Sequence, residues 1–138
     1  MDPAPPGSDV SASRLRGIGN RLSRQSRHAE AIAAFEAALA LDPDCALTHN
    51  DLGAAHHRAG QVERAMAAYR RALELDARCA KAHSNLGAAH MDRNEPDLAA
   101  AAYRRALEFN PFHSRIRTNL AFAQLLSGDL LAGWRSYE

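Results

Sequence analysis

The residues of this 138-residue chain that could do chemistry are seven histidines, two cysteines and a set of amides and carboxylates at one helical phase. Imidazole is a common metal ligand, and His49, His56 and His57 form the densest histidine group. Adjacent residues do not face each other on a helix, and no HExxH spacing occurs, so the group does not read as a metal centre. His49 recurs as His83, and His56 as His90, at an interval of 34 residues, which marks them as fillers of a recurring packing slot. Cys45 and Cys79 recur at the same interval. Packed helical units step by about 10 Å, beyond the ~7 Å Cα separation that a disulfide tolerates, so two reduced thiols are expected. No P-loop, dinucleotide fingerprint, nucleophile elbow or visible carboxylate pair is present. The expectation is therefore no catalytic residue, no metal and no cofactor.

The elements that would position these residues must be helical. Alanine is the commonest residue and aromatics make up only 6%, which favours close-packed helices over strands. Hydrophobic residues at 46% suffice for a core, so most of the chain is not of the disordered class. Seventeen basic against 16 acidic residues leave a net charge of +1, which argues against nucleic acid as a partner. No apolar run approaches the roughly 18 residues of a membrane span, and the N-terminus lacks a secretory signal pattern. A soluble, cytoplasmic protein is expected.

Sliding the sequence by 34 residues aligns Ala46–Cys79 with Ala80–His113, with 16 of 34 positions identical. Leu52-Gly53-Ala54-Ala55-His56 recurs as Leu86-Gly87-Ala88-Ala89-His90, and Tyr69-Arg70-Arg71-Ala72-Leu73-Glu74 as Tyr103-Arg104-Arg105-Ala106-Leu107-Glu108. The register extends back through Gly19, Ala31, Phe35 and Pro43 and forward through Leu120, Gly128, Gly133 and Tyr137, giving about 3.7 units. Each unit holds two helical blocks split by a breaker such as Gly60, Asn94 or Gly128 and closed by a turn such as Asp42-Pro43. Helices are predicted over 12–25, 28–41, 46–59, 62–75, 80–93, 96–109, 114–127 and 130–138. Glycine costs roughly 0.8 to 1.0 kcal/mol in a helix, so Gly19, Gly53 and Gly87 at one phase need a packing reason. The bulky Phe35, Tyr69, Tyr103 and Tyr137 supply it.

The unit length, the Leu-Gly pair, the two alanines, the aromatic and the closing proline resemble the tetratricopeptide repeat, over residues 12–138. The chain departs from that pattern at Leu15, His49, His83 and Arg117, where an aromatic is usual, and at Ala77 in place of a proline. The resemblance implies an all-α, right-handed superhelical solenoid of antiparallel helix pairs. Its repeats would be 12–45, 46–79, 80–113 and an incomplete 114–138, preceded by a proline-rich flexible leader at 1–11. It also implies a non-catalytic interaction module, whose concave face grips an extended protein or peptide segment.

By that resemblance the concave face carries Arg16, Asn20, Arg24, Asn50, Asp51, His57, Arg58, Lys81, Asn85, Met91, Arg115, Asn119 and Phe122. Its N-terminal end is basic, as a recognition patch or as an ordinary solvated face. A clamp for a C-terminal carboxylate, one mode of this family, finds matches in Asn20 and Lys81 and a conservative change in Arg16. Asp51 stands where an amide is wanted and Asn85 where an arginine is, and carboxylates about 4 Å apart repel by roughly 4 kcal/mol near a protein surface. That clamp is disfavoured. An amide ladder is the second mode: Asn85 and Asn119 hold its phase, Asp51 varies it and Gly17 breaks it. The alternative for those asparagines is plain exposure to solvent.

The sequence ends inside a helical block with no polar cap, which suggests a continuing polypeptide or self-association through the last repeat. Gly133-Trp134-Arg135-Ser136-Tyr137-Glu138 resembles the last-repeat ending of bacterial repeat proteins that continue into a glycosyltransferase-type domain.

Overall fold

The computed structural model describes residues 11–128 and 134–135. Among them seven helices follow one another: α1 (Ala12–Arg24), α2 (His28–Leu41), α3 (Ala46–Arg58), α4 (Val62–Leu75), α5 (Ala80–Asp92), α6 (Pro96–Phe109) and α7 (Ser114–Leu126). The described residues contain no strand, and Trp134 and Arg135 are helical. The rest of the helix expected over 130–138, with Gly133 and Tyr137, lies outside the described residues, as do residues 1–10 of the expected leader. Each helix packs on its neighbours in sequence, with α1 also touching α3 and α3 touching α5. The architecture is an all-α repeat solenoid, as the 34-residue period requires.

The second helices begin and end where periodicity places them. The first helices stop one residue sooner, because Gln25, Ala59, Arg93 and Ser127 act as C-caps. The residue after each cap is left-handed: Ser26 at φ 60°, Gly60 at 81°, Asn94 at 59° and Gly128 at 91°. In the first three turns the next amide, of Arg27, Gln61 or Glu95, bonds back to the carbonyl of Leu22, His56 or His90 at 2.9–3.0 Å. This Schellman closure satisfies helix-end carbonyls and fixes the hairpin angle. Ser26 is the member of the series that residue type alone does not announce.

Within a hairpin the aromatic of the second helix lies on the glycine of the first. A Cβ on Gly19 or Gly53 would come within 2.6 Å of the Phe35 or Tyr69 ring, and one on Gly87 within 2.8 Å of Tyr103. Ala31, Ala65 and Ala99 on the second helices are fully buried. Ala55, Ala89 and Ala123 are equally buried, with Ala55 and Ala89 packed on the second helices of the preceding repeats. Bulk on one side meets absence of bulk on the other, repeated along the rod.

The recurrent histidines fill their slots and also hold the turns. His49 Nε2 donates to the Pro43 carbonyl and His83 Nε2 to that of Ala77, both at 2.9 Å. His56 and His90 are buried, with Nδ1 donating to Gln61 Oε1 at 2.7 Å and to Glu95 Oε1 at 3.4 Å. A phenyl ring could fill the volume but could not make these bonds. The cysteines are free thiols at the N-cap positions of α3 and α5.

Candidate functional site

Because α1, α3, α5 and α7 occupy the same place in successive repeats, residues at one phase form rows across the face they share. Those rows are tied together from repeat to repeat. Asn20 Nδ2 donates to Asp51 Oδ2 at 3.3 Å, and Asn85 Nδ2 donates to Asn50 Oδ1 at 2.9 Å. His57 Nε2 donates to Asp92 in the next repeat, while its Nδ1 accepts from the Tyr69 hydroxyl at 3.5 Å. The partners are 31 or 35 residues apart, one repeat shifted by a helical step, so this signal was present in the spacing.

Between the rungs lie pockets. One, of about 220 Å³, is lined by Ala54, His57, Arg58, Tyr69 and Asn85. Another, of about 210 Å³, is lined by Ala88, Met91, Asp92, Tyr103, Asn119 and Phe122. They are the same pocket displaced by 34 residues: Ala54 becomes Ala88, His57 Met91, Arg58 Asp92, Tyr69 Tyr103 and Asn85 Asn119. The first has imidazole and guanidinium on its rim, and the second a thioether, a carboxylate and a phenyl ring. A cavity of about 280 Å³ lies beside Lys81, Ser84, Asn85, Asn110, His113 and Arg115. A pocket of about 80 Å³ includes Arg16, Asp42, Cys45 and Thr48.

The structure thus gathers His57, Arg58, Lys81, Asn85, Met91, Arg115, Asn119 and Phe122 around three cavities. Arg16 sits apart, its guanidinium 3.9 Å from Cys45 Sγ. Asn20 and Asp51 engage each other, and Arg24 is exposed and lines none of these cavities. Asn50 departs from its expected place: it is 3% exposed and its carbonyl is taken by Asn85, so it joins repeats instead of facing a ligand. Tyr69, Tyr103, Asn110 and His113 are lining residues that sequence reasoning did not assign to the face. Tyr69 and Tyr103 were legible only as core aromatics, and their edges reach the groove from behind.

Burial is the main cause of the titration shifts here. It raises the Asp51 carboxyl above the ordinary aspartate range, with Asn20, Arg16 and Lys81 pulling the other way. It raises the Tyr69 and Tyr103 phenols as well, Asp92 adding to both. At Cys45 burial pushes the thiol up, but hydrogen bonds from Thr48 and the Arg16 charge outweigh it and bring it below the usual value. Among the described residues no group of three His, Cys, Asp or Glu side chains is placed to hold a metal ion. No described helix is long and apolar enough to cross a membrane.

The sequence matches the tetratricopeptide repeat family over residues 16–78 and again over 80–113. No curated protein matches it. Solved structures are similar in fold. A crystal structure of MamA superposes with a TM-score of 0.86 at 22% identity, covering 94% of this chain and 76% of MamA. A second MamA crystal structure gives 0.84 at 22% identity, covering 91% and 69%. The first repeat domain of Spaghetti (RPAP3), solved bound to the HSP90 peptide SRMEEVD, gives 0.82 at 24% identity, covering 86% of this chain and 94% of that one.

Proposed function

We propose that this chain, which belongs to the tetratricopeptide repeat family, grips an extended segment of a partner protein in the row of pockets between its first helices. The observation that carries this reading is the pair of pockets related by one repeat, each with an alanine floor, a tyrosine wall and a carboxamide from the following helix. Repeats step by about 10 Å and an extended chain advances about 3.3 Å per residue, so every third ligand residue meets an equivalent pocket. A carboxamide both donates and accepts, which suits it to a peptide main chain. The two rims then read side chains differently: an acidic or polar one beside Arg58, an apolar one beside Met91 and Phe122. The repeat domain of RPAP3, similar in fold, holds a peptide.

Selection from a displayed library of random dodecapeptides, followed by anisotropy on the winners, tests this. Ala54→Trp and Ala88→Trp fill one pocket each and should weaken binding about tenfold or more, a change of about 1.4 kcal/mol. Unaltered affinity in both variants would defeat the reading.

A second reading, self-association, is favoured by the exposed Phe122, Leu125 and Leu126 on α7. At the other end it meets an obstacle. Arg14 and Arg21 stand on α1 at the phases held by buried Ala82 and Ile116 and by buried Ala55, Ala89 and Ala123 in later repeats. A copy stacking there would have to bury these guanidinium groups, which is costly unless each is paired. Light scattering that shows mass growing with protein concentration would favour stacking over the groove.

A further inference from the structure

Each of the first helices α3, α5 and α7 packs on the second helix of the repeat before it. At the last of these junctions Ile116, Leu120 and Ala123 of α7 meet Ala99, Tyr103 and Ala106 of α6. Thr48 and Ala55 of α3, and Ala82 and Ala89 of α5, are buried at the same phases. Their counterparts on α1 are Arg14, Ile18 and Arg21, and among the described residues no helix precedes α1 to cover them. Both arginines are exposed and neither forms an ion pair among the described residues, while Ile18 between them is 36% exposed. An ordinary solvated helix face interleaves its charges, as α4 and α6 do with Arg71–Glu74 and Arg105–Glu108. The surface of α1 does not: from Val10 to Ala29 the sequence has five arginines and no acid. Arg14 lies in the first turn besides, where the helix dipole favours a carboxylate.

We propose that this stripe of α1 seats a helix of a partner protein that brings carboxylates to Arg14 and Arg21 and an apolar residue to Ile18. The helical shape follows from the fold, since the same face of α3, α5 and α7 holds a helix. The chemistry follows from charge: burying a guanidinium is costly unless it is paired, and a carboxylate meets it with two parallel hydrogen bonds. The arginines are seven residues apart, two turns or about 10 Å along the helix. A partner lying antiparallel, as helices joined by short turns do, therefore matches them with the pattern Glu-x-x-Leu-x-x-x-Glu. The basic stripe is one helix wide. The adjoining α2 carries exposed Glu30 and Glu36 and no lysine or arginine, which suits a narrow partner better than a bilayer or a nucleic-acid duplex. A second copy offers no match through α7, which has no acidic residue. Arg16, Asn20 and Arg24 lie on another side of α1, so the seat is independent of the groove.

A titration followed by ¹H–¹⁵N correlation spectra on the whole chain tests this with a synthetic alanine–glutamine helix that carries Glu-x-x-Leu-x-x-x-Glu. A second peptide of the same composition has one glutamate moved by two positions, off the stripe, and a third has lysine in place of both glutamates. Saturable shifts at the amides of Arg14, Gly17, Ile18 and Arg21 are expected with the first peptide, about tenfold weaker with the second and absent with the third. Arg14→Gln combined with Arg21→Gln should weaken the first peptide about tenfold. Arg64→Gln combined with Arg70→Gln removes the same charge from exposed positions of α4 and should leave its affinity within about twofold. All four arginines are exposed, so both double variants should fold, which thermal unfolding reads directly. Equal binding of the first two peptides, or an equal loss in the α4 variant, would reduce the seat to undirected charge attraction and overturn the proposal. So would tighter saturation of the same amides by phosphatidylserine vesicles or by a DNA duplex, or shifts there that grow with protein concentration alone.

Discussion

Replacing Gly53 by alanine should destabilise the protein, although alanine is the better helix former. The intrinsic gain is about 0.8 to 1.0 kcal/mol for a glycine inside a helix. Against it, the new Cβ would lie 2.6 Å from Tyr69 Cε1, 2.7 Å from its Cδ1 and 3.1 Å from the Ala65 carbonyl oxygen. The ring is 1% exposed and held in the core, and Ala65 O is backbone of the partner helix. Overpacking of this kind costs about 1 to 3 kcal/mol, which leaves a net loss of up to about 2 kcal/mol. For a domain of this size that is a fall in Tm of several degrees. Gly17→Ala is the control: nothing lies within 4 Å of its Cβ, so the helix-forming gain stands alone and Tm should rise by about 3 °C. Thermal unfolding followed by circular dichroism reads both. The signs decide the matter, since a rise in Tm for Gly53→Ala like that of Gly17→Ala would mean that the aromatic does not hold the helices at that spacing. A cycle with Tyr69→Leu sharpens the test: freed of the ring, Gly53→Ala should cost at least about 0.5 kcal/mol less than in the parent, and strict additivity would contradict the contact.

Two further outcomes follow from the backbone and from burial. Ser26 holds φ 60°, a conformation that costs a residue with a Cβ about 1 to 2 kcal/mol, while glycine's extra freedom when unfolded offsets part of the relief. Ser26→Gly should therefore raise stability by about 0.5 to 1 kcal/mol in urea titrations, and a loss would show that the serine side chain stabilises the turn in another way. Asp51→Asn should raise Tm at neutral pH, because burial disfavours the ionised carboxylate and the oxygen of the introduced carboxamide could still accept from Asn20. A folded-state pKa above the unfolded one means that the native state binds the proton more tightly, so the ionised acid weakens folding at pH values above the folded pKa. The advantage of the asparagine should shrink as pH falls toward about 4, the ordinary aspartate value, and a gap in Tm constant with pH would refute it.

How far the molecule was legible from its sequence differs from residue to residue. The hairpins and their packing follow from the period, because Gly53 and Tyr69 repeat together and their sizes are complementary. The turn at Ser26 shows why residue type alone is insufficient: serine is no marker of a left-handed turn, and only its distance of 34 residues from Gly60 places it there. The family resemblance places Asn50 on the face, yet a polar residue wedged between two first helices is tolerable once a neighbouring amide satisfies it, as Asn85 does. The cavity at Lys81 and Arg115 was not legible as a cavity, since a gap is set by how far Ser84 and Ala80 fall short of the next helix, which no spacing rule encodes.

The bonds between repeats also decide what the amide row can do for a ligand. Asn85 is shared: one amide hydrogen goes to Asn50 and the remaining hydrogen and carbonyl are left for a peptide. Asn119 has no side-chain partner among the described residues, lines the pocket beside Phe122, and so brings its whole carboxamide. The two asparagines, alike in sequence phase, should then separate in experiment. Asn85→Ala leaves the buried Asn50 carbonyl unpaired, a cost of about 1 to 3 kcal/mol, and should lower Tm and peptide affinity together. Asn119→Ala should lower affinity while Tm stays within about 1 °C of the parent. If Asn119→Ala leaves affinity for the selected peptides unchanged, the carboxamides are not rungs for a main chain. Their role would then be confined to the contact that Asn85 makes with Asn50.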